Sequence, residues 1–297
     1  MTLQRNNTID IIKGFLIVCV ILGHVLLGSI DDNIFRYIIY SFHMPLFMFM
    51  SGYMISVSKI SQMTFPDIFS KYWKRMLKMW LVAFLIFSAY QVLKEPTIKQ
   101  IAVLIYSPWY HLWYIPTLFS FILISRFLFV NVNKYWSYLI LIMIPIIWFV
   151  LSEILPITLP RWFDFKYLPY FSLGLFFKNH YKKIIRRYPI IPILYIITIL
   201  ALKYFNVKID ELLQIILLIP VITLYLYPAI KRDMLGKPRF LAFVGQNSLD
   251  IYLWHMIPII LLKDFISNTS LYYVLSTVLI CSFIAFAMIK SGVFSKK

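Results

Sequence analysis

Residues 7–25 read NTIDIIKGFLIVCVILGHV, a run oily enough to cross a lipid bilayer that still holds Asp10, Lys13 and His24. An α-helical span needs about 20 apolar residues. An ionisable group inside one costs about 2.5–3.5 kcal/mol on insertion scales, so such groups face a bundle interior or water. A helix turns about 100° and rises ~1.5 Å per residue. Lys13 and His24 therefore return to within about 20° of one face and stand roughly 16 Å apart along it. Asp10, three residues before Lys13, falls on the same side, where the two can pair. The stretch is not a cleavable leader, because it is long, carries two charges and lacks a small-x-small exit.

Working outward, hydrophobic residues make up 61% of the 297, aromatics 19% and charged residues 14%. A soluble domain of this length needs a more polar coat, so the composition predicts an integral membrane protein. Long continuous apolar runs, rather than alternating ten-residue patterns, exclude an outer-membrane barrel. The expected fold class is all-α: a polytopic membrane helix bundle of about ten transmembrane helices, near 9–29, 35–56, 77–94, 112–130, 137–155, 167–179, 190–204, 212–230, 240–262 and 271–291. Loops are short, and neither an internal repeat nor a low-complexity linker is present, which predicts one membrane domain over residues 1–297.

The net charge is +17. With ten spans, most Lys and Arg gather on one side, and a smaller set that includes Arg36, Lys203, Lys208 and Lys263 falls on the other. That bias puts both termini in the cytoplasm of a multi-pass protein of the cell membrane, with membrane lipids as partners. No basic–aromatic interleaving marks a nucleic-acid surface. Cys19 and Cys281 both fall within spans, with no paired spacing and no metal-ligand cluster, so neither a disulfide framework nor a metal is expected.

The remaining polar residues inside the spans are selective. His43 lies in SFHMPLFMFMSGY, His111 in WYHLWYIP and His255 in FVGQNSLDIYLWHM. With His24, four of the five histidines map to the outer half of the bilayer, and His180 sits in a basic inner loop. Imidazole is the natural proton acceptor for an alcohol near neutral pH. The bland reading is that His43 and His111 are packing or interfacial groups; Trp109, Tyr110, Trp113 and Tyr114 beside His111 fit an aromatic belt. Ser248, Tyr252 and His255 fall at i, i+4 and i+7, a polar stripe suited to a cavity wall. Gly245, Gln246 and Asn247 before it read as a helix breaker and cap. In KYWKRMLKMW (71–80), Lys71, Lys74, Arg75 and Lys78 gather positive charge that suits anionic lipid or a nucleotide diphosphate.

Taken in order, residues 7–25, 41–53, 71–80, 111–116 and 243–255 resemble the integral membrane acyltransferases of the acyltransferase 3 family. That family's first span carries an aspartate, a basic residue with glycine, and a histidine; here these are Asp10, Lys13, Gly14 and His24. The resemblance implies transfer of an acyl group, usually acetyl, from cytoplasmic acyl-CoA to an extracytoplasmic carbohydrate. It implies no permanently bound cofactor, with acetyl-CoA as co-substrate and a glycan as acceptor. Its catalytic histidine carries onto His24 and its third-helix basic residues onto Lys74 and Arg75. The family usually has arginine where this chain has Lys13, which keeps the charge but not the planar fork.

From these pieces follows an expected mechanism. Lys74, Arg75 and Lys78 hold the phosphates, the pantetheine arm passes Asp10 and Lys13, and the thioester meets His24. Asp10, about 21 Å from His24, cannot orient it, so His43, His255 or Tyr252 must, with Ser248, His111 and Trp113 in support. The rival reading is a polysaccharide or small-molecule transporter or exporter, because Pro45, Pro116, Pro145, Pro220 and Pro258 interrupt spans as in carriers with broken helices. Oligomeric state leaves no mark in the sequence.

Overall fold

A computed structural model describes residues 6–108, 110–155, 160–179, 186–236, 239–266, 269, 271–276 and 278. Among them there is no strand. The helices run in chain order α1 (Asn7–Val25), α2 (Ile34–Tyr53), α3 (Val57–Ser61), α4 (Phe65–Tyr72), α5 (Lys78–Lys94), α6 (Ile98–Tyr106), α7 (Tyr114–Asn131) and α8 (Lys134–Ile154). They continue with α9 (Leu168–Asn179), α10 (Ile190–Tyr204), α11 (Glu211–Pro220), α12 (Tyr227–Arg232), α13 (Arg239–Gln246), α14 (Ser248–Trp254) and α15 (Met256–Phe265).

Five helical stretches of the described residues are long and apolar enough to cross a membrane: Asn7–Val25, Phe65–Lys94, His111–Asn131, Lys134–Ser152 and Glu211–Arg232. Two of them join shorter α-helices through π-helical turns, Trp73–Leu77 and Val221–Leu226. The span expected at 77–94 is thus the second part of a longer helix. The span expected at 240–262 is three short helices, and the one at 271–291 lies largely outside the described residues.

The chain divides into two compact units, Met1–Phe47 with Lys183–Lys297, and Met48–Lys182. In the first, α1 is anchored at its start. Asn6 caps it by accepting from the Ile9 amide at 3.1 Å, and the Asp233 carboxylate accepts from the Thr8 amide at 2.7 Å. Further along, α1 and α13 cross backbone against backbone. A Cβ on Gly14 would run into the Leu241 carbonyl, and one on Gly245 into the Asp10 carbonyl. The break and cap expected at Gly245–Asn247 are present, α13 ending at Gln246 and Asn247 standing at the N-cap position of α14, and Gly245 serves also as the crossing point. Without a driving force between apolar faces in lipid, small residues that let backbones approach are how such helices gain packing.

The second unit repeats the device. A Cβ on Gly52 of α2 would strike the Phe171 carbonyl, and one on Gly174 of α9 would strike the Phe49 carbonyl.

Prolines break the backbone ladder in a patterned way. Pro45 has no N–H for the Ser41 carbonyl, and in lipid an unsatisfied carbonyl is costly. That carbonyl instead accepts from Gln214 Nε2 at 2.7 Å and from the Tyr195 hydroxyl at 3.1 Å. In the other unit Pro116 cannot serve Leu112, whose carbonyl accepts from the Trp80 indole at 2.8 Å. Pro258 leaves the Trp254 carbonyl without a helical donor, and α14 ends there, with His255 at the joint before α15.

Candidate functional site

The C-terminal end of α1 gathers several titratable groups of the first unit. The His24 ring lies 5.4 Å from the His255 ring, centroid to centroid. The groups near enough to act on His24 electrostatically are His255, His43, Lys263 and Arg36. His24 is half-buried, whereas His43 and His255 are buried. The Lys263 ammonium donates to the His24 carbonyl at 3.3 Å, a cation at a helix C-terminus where the dipole favours it. The Arg36 guanidinium donates to the Gly28 carbonyl and stands over the Tyr40 ring, 5.4 Å from its centre.

His43 and His255 share one geometry. His43 Nδ1 lies 2.7 Å from the Ile39 carbonyl, and His255 Nδ1 lies 2.8 Å from the Tyr252 carbonyl and 3.1 Å from that of Ile251. A carbonyl can only accept, so Nδ1 carries the proton in each ring and Nε2 holds the lone pair of the neutral imidazole. Both rings are thereby fixed in tautomer by their own helices. Tyr40 completes the group. Its ring meets His43 edge-on at 5.0 Å, and its edge lies against Gly23, beside His24.

Ser248 and Tyr252 of the expected stripe are buried with His255, and the Tyr252 ring centre is 6.3 Å from that of His255. At the other end of α1, Asp10 is buried and accepts from Gln246 Nε2 at 3.4 Å, while Lys13 is half-buried. Between the two ends the Lys13–His24 stripe passes over Ile17 and Val20, which are 0% and 2% exposed. These side chains are packed, so the stripe does not line the open passage expected for a pantetheine arm. α1 does line a cavity of about 320 Å³, with Ile11, Ile12, Phe15 and Leu16, on a face roughly 150° away from that stripe. Its wall is apolar.

The remaining candidates belong to the second unit. Lys74, Arg75 and Lys78 are exposed on and beside the π-turn Trp73–Leu77. His111 is buried, edge-on to Phe87 at 5.5 Å. Trp113 stacks on Tyr167 at 5.0 Å. Tyr114, expected in an interfacial belt, is buried and shares a 2.6 Å hydrogen bond with Ser51. Trp109, His180 and Cys281 lie outside the described residues. Sequence reasoning missed Tyr40 and saw Arg36 and Lys263 only as outer charges; their spacing in the chain carries no sign that they converge on His24.

A family model described as an acyltransferase domain matches residues 6–294. Among curated proteins, the nodulation protein NolL of Sinorhizobium fredii is 45% identical over 60 residues. The matched stretch is 18% of this chain and 16% of that protein. No solved structure matches the chain.

Proposed function

We propose, from the premise that the chain belongs to the acyltransferase 3 family, that it moves an acyl group, acetyl in the first instance, from cytoplasmic acyl-CoA to a hydroxyl of an extracytoplasmic carbohydrate. The observation that carries the reading is the His24–His255 pair, 5.4 Å apart at the end of a span that starts with Asp10 and Lys13. In this reading both termini are cytoplasmic, and the His24 end of α1 faces outward in the cell membrane.

His24 takes the proton of the acceptor hydroxyl as its oxygen attacks the thioester carbonyl, the ordinary work of a positioned imidazole. The C–S bond then breaks, the ester forms, and the proton passes to the departing CoA thiolate. His43 and His255, their Nδ1 protons held by main-chain carbonyls, present Nε2 as acceptors that orient the reacting groups. Lys263 and Arg36 lend positive charge to the developing oxyanion. The exposed Lys74, Arg75 and Lys78 offer a phosphate-binding surface, bound by charge rather than by planar geometry at the two lysines. Because Ile17 and Val20 are packed, the acyl arm reaches His24 only after side chains move or by a route other than the Lys13 stripe.

The test is acyl transfer from radiolabelled acetyl-CoA in proteoliposomes, using as acceptor the surface glycan of cells that lack the protein. Label in the glycan with the unsubstituted protein, lost in His24→Ala, is the expected result. Unchanged transfer by His24→Ala removes the mechanism. No transfer by either protein, with uptake of unmodified sugar, would point to a carrier instead.

A further inference from the structure

The first unit holds a second cavity, of about 540 Å³, whose wall includes Tyr37, Tyr40, Ser41, Lys203, Lys208 and Gln214. Its volume falls within the range of small-molecule sites, and unlike the 320 Å³ cavity its wall is mixed, with ammonium, amide, carboxylate and phenol groups set among apolar side chains. We infer that this basin receives the acceptor sugar, an inference that rests on the acyl-transfer reading above.

Four features of the basin fit a polyhydroxylated ring. Gln214 is locked, since its Nε2 donates to the Ser41 carbonyl that Pro45 leaves open, so the amide is held in one orientation. Tyr37 supplies an aromatic face at the rim, with the Lys203 ammonium 4.4 Å from its centre and also bonded to the Asp31 carbonyl. Lys208 is exposed at the edge, and its ammonium has three donors for hydroxyl or carboxylate oxygens. Tyr40, finally, belongs to both places. It lines the basin, meets His43 at 5.0 Å and lies against Gly23, so this ring joins the cavity wall to the histidine cluster. A sugar seated in the basin lies against the ring that packs on His43, one of the groups that act on His24. The 320 Å³ cavity, with its apolar wall, offers a sugar no such partners.

The assay is again transfer of label from acetyl-CoA to surface glycan of cells lacking the protein, with KM measured separately for glycan and for acetyl-CoA. Tyr37→Ala and Lys208→Ala change residues at the rim rather than in the core, so both proteins are expected to purify as the unsubstituted one does. Each is expected to raise the glycan KM about five- to ten-fold, the loss of one hydrogen bond or stacking contact, and to leave the acetyl-CoA KM alone. An unchanged glycan KM in both variants overturns the basin. So does a rise confined to the acetyl-CoA KM, which would assign the cavity to the donor. Absence of transfer by the unsubstituted protein removes the acyl-transfer reading itself, and the basin falls with it.

Discussion

The two compact units solve the same packing problem with the same two devices, yet the described residues of the first also draw several titratable side chains together at one helix end. Each has a glycine pair where helix backbones meet, Gly14 with Gly245 in the first and Gly52 with Gly174 in the second. Each has a proline whose missing N–H leaves a carbonyl to a side-chain donor: Ser41 to Gln214 and Tyr195, Leu112 to Trp80. In the first, three histidines, Arg36 and Lys263 gather at the opposite end of α1 from the Gly14 crossing. In the second, the buried His111 adjoins the capped Leu112 carbonyl but stands against the Phe87 ring, among an indole, a buried Ser51–Tyr114 pair and stacked rings such as Trp113 on Tyr167. Glycine crossings and capped carbonyls are what a bundle in lipid requires anywhere. The titratable cluster is what it does not require, and so it is where the proposed chemistry is placed.

The strongest way to break that contrast is to remove one histidine from each unit. His24→Ala is expected to lower the transfer rate at least about 100-fold, the usual worth of a general base, with no change in elution or helical content. His111→Ala is expected to cost activity only as far as it costs folded protein, because its ring is buried against Phe87. Rates normalised to folded protein decide it. Equal losses at the two sites would show that burial, not chemistry, sets the effect.

Next in size are the crossings, where the two units should respond alike. Valine at Gly245 or Gly174 sets a side chain against a main-chain carbonyl that cannot turn aside. Overpacking typically costs about 1–3 kcal/mol, and backbone contact puts these sites at the upper end. Thermal unfolding in detergent is expected to show a lower Tm for both. A drop at one site alone would mean that the other pair of helices can slide apart at little cost.

The capped carbonyls separate the units more finely. Trp80→Phe strips the Leu112 carbonyl of the donor seen on it, and an unsatisfied buried group costs about 1–3 kcal/mol. Tyr195→Phe leaves Gln214 still donating to Ser41, so its cost is expected to be smaller. A larger loss for Tyr195→Phe in the same unfolding assay would show that the amide does not satisfy Ser41 on its own.

Much of this was legible in residues 7–25 and little elsewhere. Apolar run length and the spacing of Asp10, Lys13 and His24 gave an all-helical membrane protein and singled out His24, because both depend on local period alone. His255 and His43 were legible as polar residues in oily segments, though their back-bonded tautomers were not, since these depend on rotamer. The helix break at Gly245–Asn247 was legible, but the crossing at Gly245 was not, because only the partner backbone of Asp10 reveals it. The basin escaped notice entirely. Its wall draws on Tyr37 and Tyr40 of α2, Lys203 and Lys208 at the end of α10 and beyond it, and Gln214 of α11, positions with no shared pattern in the chain.

The smallest effect is expected at Lys13, and it tests how much of the Asp10 end of α1 depends on charge alone. Lysine binds as a point charge, and arginine adds a planar fork and two further donors. Lys13 is half-buried, one position from the Gly14 crossing, so a bulkier head group must extend along the helix rather than into α13. If that end needs only a positive charge near Asp10, Lys13→Arg transfers acyl groups within about three-fold of the unsubstituted rate, less than 1 kcal/mol. A rate above the unsubstituted one would mean that the fork finds a partner that lysine leaves unused. A dead Lys13→Arg protein that still folds would mean that the compactness of the ammonium is what matters, and that this position differs in kind from the arginine usual in the family.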